Sequence, residues 1–412
     1  MEKIKGLLKK RSVIVAIIGG VVVLCSVIAT VVAVNSALLD GGVLNNPTEP
    51  QTEVYFAEEE TTLHEETETP APQPTAEPTP TATPTPEPTP IPTPTPTSEP
   101  TPEPPPAVYP DNFVFPEEGL RPFAVMIDNQ GSRPLPHGGL DYAQVIYEVI
   151  VEGGISRFMA VFWYPYSDGG IIPYIGPIRS ARHYFLDFAK EHDALYLHIG
   201  QSPQAGRDFS ALKVDRIDNG QVYWRITKEK NNWQNAYTSS DRIYAYIEKN
   251  RVRTETGAEP VLKYSNIPVT LDSGDNARSV RITYSGNQTY TTYEYVEETG
   301  LYLRGRNGKP HMARETTDNN SSSKQLTAKN ILVQFVKTWR IDNEDRQDMS
   351  DVGKGEGYFI TNGMAEKISW SKSSRTSPTS YTYLSSGDQV LLNPGQTYIQ
   401  IVPDGRGSIT LD

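Results

Sequence analysis

Residues 181–200, ARHYFLDFAKEHDALYLHIG, carry the pattern from which the fold of this 412-residue chain is read. Tyr184, Phe185, Phe188 and Ala189 recur at helical spacing and make one apolar face, so the spacing predicts a helix over 181–194. The apolar run ALYLHIG that follows predicts a strand over 194–200. Working outward, RPFAVMID (121–128), QVIYEVIVE (144–152) and RFMAVFWY (157–164) read as three more strands. PQAGRDFSALK (203–213) and SSDRIYAYIEKN (239–250) read as helices. Strands interleaved with helices predict a first domain of α/β type with a mixed sheet over 113–255.

Beyond residue 260 the pattern changes. SVRITYS, YTTYEYVEETGLYLRG, NILVQFVKTWRI, GYFITNG, AEKISWSKS, TSYTYLSS, QVLLN and TYIQIVP are short, rich in Tyr, Thr, Val and Ile, and separated by Gly, Asn or Ser. They predict a β-rich domain over 260–405, sandwich- or barrel-like, with a core of its own. The expected fold class is therefore α+β.

Charge divides the rest of the chain. The net charge is −12, yet residues 1–12 hold five basic side chains against one acid, and residues 35–106 hold Asp40 and twelve Glu. The folded part is close to neutral, which argues against nucleic-acid binding. Residues 13–34, VIVAIIGGVVVLCSVIATVVAV, are uncharged and long enough to span a bilayer. With the basic tail at 1–12 in front, they predict a signal anchor with a cytoplasmic N-terminus and extracellular domains in a Gram-positive-type envelope. A cleaved signal peptide is the alternative, although its apolar region is usually shorter. Cys25, the one cysteine, lies inside this run, so the exported part has no disulfide. Lipidation of Cys25 is a second alternative, disfavoured by the lack of a small residue just before it.

Residues 35–110 read as a disordered stalk. Seventeen of the 34 prolines fall between Pro70 and Pro106, in a Thr-Pro repeat that favours extended polyproline II. That repeat reaches on the order of 100 Å, and the glutamates stiffen it by repulsion.

The stretches RPFAVMIDNQGSRP, YEVIVEGGISRFMAVF and IGPIRSARHYFLDFAKEHDALYLHIGQSPQA resemble the exported YerB-like lipoproteins of Gram-positive bacteria, domain-of-unknown-function family 3048. NILVQF, VGKGEGYFITNG, ISWSK and LLNPGQTYIQIVP resemble the family's separate C-terminal domain, so the resemblance covers roughly 113–405. It implies export and a two-part folded region, and no particular reaction. Two departures stand out. Family members usually carry a lipid-attachment cysteine, and they show a Pro-His-Asn-x-Tyr-Thr run where this chain has Gln234 in the histidine's place.

Among residues that could carry chemistry, Gly176-Pro177-Ile178-Arg179-Ser180-Ala181-Arg182 reads as a turn feeding a helix, with Ser180 as N-cap. The helix dipole and the two guanidinium groups suit a carboxylate or phosphate. Pairing of Arg179 and Arg182 with Asp128, Glu148 or Glu152 is the structural alternative. Arg157 is a further counter-ion. His198 and Ser202, four apart between strand and helix, resemble part of a nucleophile elbow. Pro203 and Gln204 break that pattern, and Ser202 with Pro203 also reads as an ordinary N-cap and N1 pair.

Glu148 and Glu152, four apart on a strand, are candidates for a glycosidase pair, but their roughly 13 Å separation exceeds that geometry. His183 and Asp187 share a helix face without a third metal ligand, so no metal is expected. No cofactor motif is present. Trp339, Trp370, Tyr381, Tyr383 and Tyr398 could form a sugar-stacking platform or simply fill a sheet. The expected role is a membrane-tethered envelope protein that binds an anionic wall polymer or an envelope partner. The alternative is a hydrolase or transferase acting on an envelope glycan, with the Arg179/Arg182 pocket and a carboxylate or His198.

Overall fold

A computed structural model of the protein describes residues 115–412, apart from 117–118, 164–169, 218–219, 227–233, 287–288 and 316–323. All of them fall in one compact unit, Pro96–Asp412. The tail at 1–12, the apolar segment at 13–34 and the stalk at 35–110 lie outside the described residues. Among the described residues no helix is long and apolar enough to cross a membrane.

Three apolar runs in the first half become the strands β1 (Phe123–Asp128), β2 (Val145–Ile150) and β3 (Ser156–Phe162), buried at every position. Full burial follows from their place inside the sheet, with both faces covered. β3 runs antiparallel to β1 and β2, while β4 (Leu195–Leu197) and β5 (Arg216–Ile217) add parallel strands beyond β1. The β2–β3 connection turns through Gly153 and Gly154, at φ 63° and 73°. Gly154 is doubly constrained, because a Cβ there would sit 2.8 Å from Ser285 Oγ.

Helix α1 (His183–Glu191) is shorter than the predicted 181–194, and Arg182 rather than Ser180 is its N-cap residue. The reason lies in the preceding backbone. Arg179 N donates to Met126 O and Ala181 N to Gly200 O, so this segment is laced in extended form to the end of β1 and cannot yet turn helical. Helix α2 (Pro203–Ala211) starts as predicted, with Ser202 Oγ accepting from Ala205 N at 3.1 Å and Pro at N1. Helix α3 (Ser240–Asn250) completes the set.

The second half does not form a sandwich or barrel with its own core, and this corrects the expectation from sequence. Its strands are β6 (Ser279–Ser285), β7 (Thr289–Val296), β8 (Leu301–Arg306), β9 (Asn330–Val336), β10 (Gly353–Thr361), β11 (Met364–Lys372), β12 (Ser380–Tyr383), β13 (Thr397–Pro403) and β14 (Ser408–Leu411). Five of these continue the first-half sheet in the order β12-β11-β10-β9-β13-β2-β3-β1-β4-β5, with the short strand Asp275–Asn276 on β11 making eleven. The seam is β13, TYIQIVP, parallel to both β9 and β2 and buried at all seven positions. Its apolar side chains each gain about 1.5–3 kcal/mol by burial, which only a strand covered on both faces can do. The six-stranded sheet holds β8-β7-β6-β14.

Alternation along the large sheet sorts its side chains into two cores. Ala124, Met126, Tyr147, Met159 and Ile399 pack with α1 and α2. Val125, Ile127, Ile146, Phe158 and Tyr398 pack with Val280, Ile282 and Tyr293 of the small sheet and with Ile243 of α3. The mixed sheet is thus the middle of three layers in an α+β fold. Trp370, Tyr381 and Tyr398 are core residues at 2%, 4% and 0% exposure, so they do not join Trp339, at 41%, in an aromatic platform.

Candidate functional site

The carboxyl ends of β1, β2 and β4 share one edge of the sheet, and the N-termini of α1 and α2 meet it. Crevices at such edges are where open α/β sheets bind ligands. Here the crevice is a cleft of about 440 Å3, lined by Arg157, Arg179, Ser180, Arg182, Ser202 and Glu152, with Gln130, Gln201 and the 344–346 turn. Six of the nine site residues proposed from sequence therefore line one cleft. Asp128 lies just beneath it, while Glu148 and His198 do not join it.

Each arginine is held differently. Arg157 opens β3 opposite Asp128 in register, is 2% exposed, and donates from Nη1 to Ser180 O at 2.7 Å. Among the described residues the one acid within ion-pair reach is Glu152, at 4.0 Å, and the buried Nε has no hydrogen-bond partner there. Burial first, and then the neighbouring charge of Arg182, push its pKa down to about 10. Arg182 hydrogen-bonds Glu152 through Nε. Burial opposes the Glu152 charge, but Arg182 outweighs it and lowers that pKa. Arg179 Nε stands 3.4 Å from Asp128 Oδ2, a charge contact without an aligned hydrogen bond. Asp128 also accepts from Gln234 Nε2 at 2.8 Å, so the glutamine in the histidine's place serves the cleft floor.

Glu148 belongs to another network. β2 ends at Ile150, so Glu152 sits in the turn and the two glutamates do not share a strand face. Glu148 points toward the small sheet, where it accepts from Arg304 Nη2 at 2.6 Å, Ser156 Oγ at 2.7 Å and Thr291 Oγ1 at 3.2 Å. Arg304 continues to His311, whose Nε2 is 2.6 Å from His137 Nδ1, and His137 Nε2 is 2.6 Å from Asp128 O. A carbonyl can only accept, so His137 Nε2 donates and its Nδ1 accepts from His311. His311 Nδ1 then accepts from Arg304, and both rings are neutral. Burial lowers the pKa of His137 to about 3 and that of His311 well below its ordinary value. This relay is not legible in the sequence, because Glu148 lies 156 residues from Arg304 and His137 lies 174 from His311.

His198 is 1% exposed, stacks on Phe209 at 4.8 Å and has Nδ1 2.9 Å from Gly200 O. Ser202 Oγ is occupied as the cap of α2. No nucleophile–base pair results. His183 Nε2 meets Asp348 and Asp187 meets Arg375, so that helix pair is engaged elsewhere. Among the described residues no group of three or more His, Cys, Asp or Glu is placed to hold a metal ion.

A second cleft, of about 630 Å3, adjoins the first across the start of α1. His183, Asp187, Asp208, Asp348, Asp351 and Arg375 are among its lining residues. Sequence reasoning missed it because Asp351 and Arg375 come from the second half of the chain and look like ordinary loop charges.

Comparison with known proteins places this geometry. Residues 115–253 match the family described as "Protein of unknown function (DUF3048) N-terminal domain", and residues 280–399 match the corresponding C-terminal domain. The "Putative lipoprotein YerB" of Bacillus subtilis (strain 168) is 27% identical over 291 residues, spanning 69% of this chain and 82% of the relative. The crystal structure of YerB protein from Bacillus subtilis superposes with a TM-score of 0.60 at 26% identity, covering 74% of this chain and 99% of that one.

Proposed function

The chain belongs to the YerB-like DUF3048 family, and from that premise we propose that it is a membrane-tethered envelope protein that binds an anionic wall polymer through the Arg157–Arg179–Arg182 cleft. The observation that carries this reading is Arg157. A guanidinium almost wholly buried, with an unpartnered Nε and a depressed pKa, is a cation short of negative charge. A phosphate or carboxylate entering the cleft would supply that charge, and Arg179 and Arg182 offer forked donors beside it. The positive ends of α1 and α2 add to the attraction. The lipoprotein name of the Bacillus relative fits export and tethering, and here residues 13–34 would hold the chain at the membrane, with the stalk carrying the folded part outward.

The binding reading is favoured over a hydrolase or transferase. Asp128 and Glu152 are already matched to arginines, His198 is stacked in the core, and Ser202 caps a helix. Co-sedimentation tests the proposal. The full chain in a mild nonionic detergent should pellet with purified Gram-positive walls. It should stay in solution with walls stripped of their phosphodiester polymers, and Arg182→Ala should weaken the pelleting. Equal pelleting with intact and stripped walls would sink it.

A further inference from the structure

Arg346 lines the arginine cleft although it comes from the second half of the chain. It follows the turn of a hairpin outside both large sheets, in which Thr338–Arg340 pairs antiparallel with Gln347–Met349. The root of that hairpin is fixed to the body of the molecule. Met349 is buried in the core beneath α1 and α2, Asp348 Oδ1 accepts from His183 Nε2 at 2.9 Å, and Gln347 Oε1 accepts from Arg406 Nη2 at 3.0 Å.

The tip is held by local bonds. Ile341 N donates to Arg346 O at 2.8 Å, and Asp345 takes a left-handed φ of 56°. Asp342 Oδ1 accepts from the backbone N–H of Glu344 at 3.0 Å and of Arg346 at 3.3 Å. Arg346 Nη1 donates to Asp342 Oδ2 at 2.7 Å, and Nη2 donates to Glu344 Oε2. Those two bonds occupy two of the five N–H donors that a guanidinium carries, so the carboxylates orient the group without using it up. Hydrogen bonding to Asp342 first, and then the charges of Asp342, Glu344 and Glu152, raise the Arg346 pKa. Glu152 is also the carboxylate that meets Arg182 and Arg157, so its field is shared by arginines from both halves of the chain. Glu344 and Asp345 line the cleft too, but each is already paired, with Arg346 and with Arg340, and neither opposes an anion with a bare charge.

We propose that Arg346 is a second anchoring point of the cleft, taking the neighbouring anionic group of a ligand whose first lies at Arg157. The ligand class is then two consecutive charges of a phosphodiester chain rather than one isolated anion. This rests on the anion-cleft reading and deepens it. A volume of about 440 Å3 leaves room for more than one phosphate group. The forked donors of Arg346 suit the second as those of Arg179 and Arg182 suit the first.

Titration calorimetry of the full chain in nonionic detergent tests this, with dimethyl phosphate and propane-1,3-diyl bis(methyl phosphate) as probes carrying one and two phosphodiesters. The wild type should bind the second probe about tenfold more tightly, the worth of one further charge-assisted contact and beyond the roughly twofold that two equivalent ends give by statistics. In Arg346→Gln the ratio should fall to about two. Arg346→Lys, which keeps the charge and loses the fork, should retain part of it. Arg281→Gln, which removes the same charge from an exposed position on the small sheet, should leave the ratio at its wild-type value. A wild-type ratio of only about two, or a ratio unchanged in Arg346→Gln, overturns the second anchoring point and leaves the anion cleft standing. A ratio lowered equally by Arg281→Gln overturns it as well, since net charge alone then accounts for the preference. So does loss of all binding in an Arg346→Gln variant with an unaltered circular dichroism spectrum, which would put Arg346 at the first anion. Failure of the wild type to bind either probe removes the anion cleft and the anchoring point with it.

Discussion

Glu148 and Arg304 are a buried ion pair, with side chains 1% and 0% exposed, between the two sheets. Removing one partner strands the other, so Arg304→Met should cost about 3–5 kcal/mol in denaturant unfolding, whereas Glu148→Leu combined with Arg304→Met should cost less than that single change. His192 gives a pH signature. Burial lowers its pKa to about 4, and its ring meets Tyr147 Oη at 2.8 Å. Below about pH 6.5 the unfolded chain takes up a proton there that the folded chain refuses, so this contribution to stability is complete above that pH and is lost toward pH 4. His192→Gln should make the acid-side slope shallower by about 1.4 kcal/mol per pH unit in that window. Asp351 has the opposite sign. Burial first, and then the Asp187 charge, raise its pKa to about 8, which penalises the folded state as pH rises toward that value, so Asp351→Asn should gain on the wild type over that range. At this scale sequence legibility was uneven. Arg179 and Arg182 were found because they lie at a helix start, where anion chemistry is local. Glu148 was misplaced, because even spacing on a strand puts two residues on one face only if the strand continues, and β2 stops at Ile150.

Helix starts were the most readable elements and also held the main surprise. Ser202 followed by Pro203 specifies the beginning of α2 by itself, since cap and N1 chemistry involve only adjacent residues. Ser202→Ala should lower thermal stability by about 1 kcal/mol and leave the arginine cleft's anion affinity largely intact, as measured by unfolding and phosphate titration in parallel. Ser180 looked equally suited to its helix, yet the helix waits for His183 because the backbone at 179–181 is tied to β1 and to Gly200. Those ties are contacts distant in sequence. They are also what positions Arg179 and Arg182 over the sheet edge, so the feature that defeated the local reading is the one that builds the cleft.

At the level of the whole molecule, the family boundary between residues 253 and 280 is not a boundary in the sheet. β13, from near the end of the chain, completes β2 from near the start of its folded part, and Lys372 reaches Glu191 at 2.8 Å in a fully buried pair across the same division. Strand pairing between segments some 250 residues apart leaves no local trace, which is why two separate cores were expected. The two halves should therefore unfold in one transition, with tryptophan fluorescence and far-ultraviolet circular dichroism giving coincident midpoints. A chain ending near residue 255 should fail to fold, since it would expose the edge of β2 along its buried length.

In the proposed function, one under-neutralised arginine cleft gives a nearly neutral folded unit its affinity for anions. The most direct measurement is calorimetric titration of the full chain with a synthetic poly(glycerol phosphate), at low and high salt, comparing the wild type with Arg157→Gln and with Arg281→Gln on the exposed face of the small sheet. On that reading the wild type binds saturably, with affinity that weakens with salt, is lost in Arg157→Gln and is unchanged in Arg281→Gln. Equal binding by all three proteins, or none by the wild type, would contradict it.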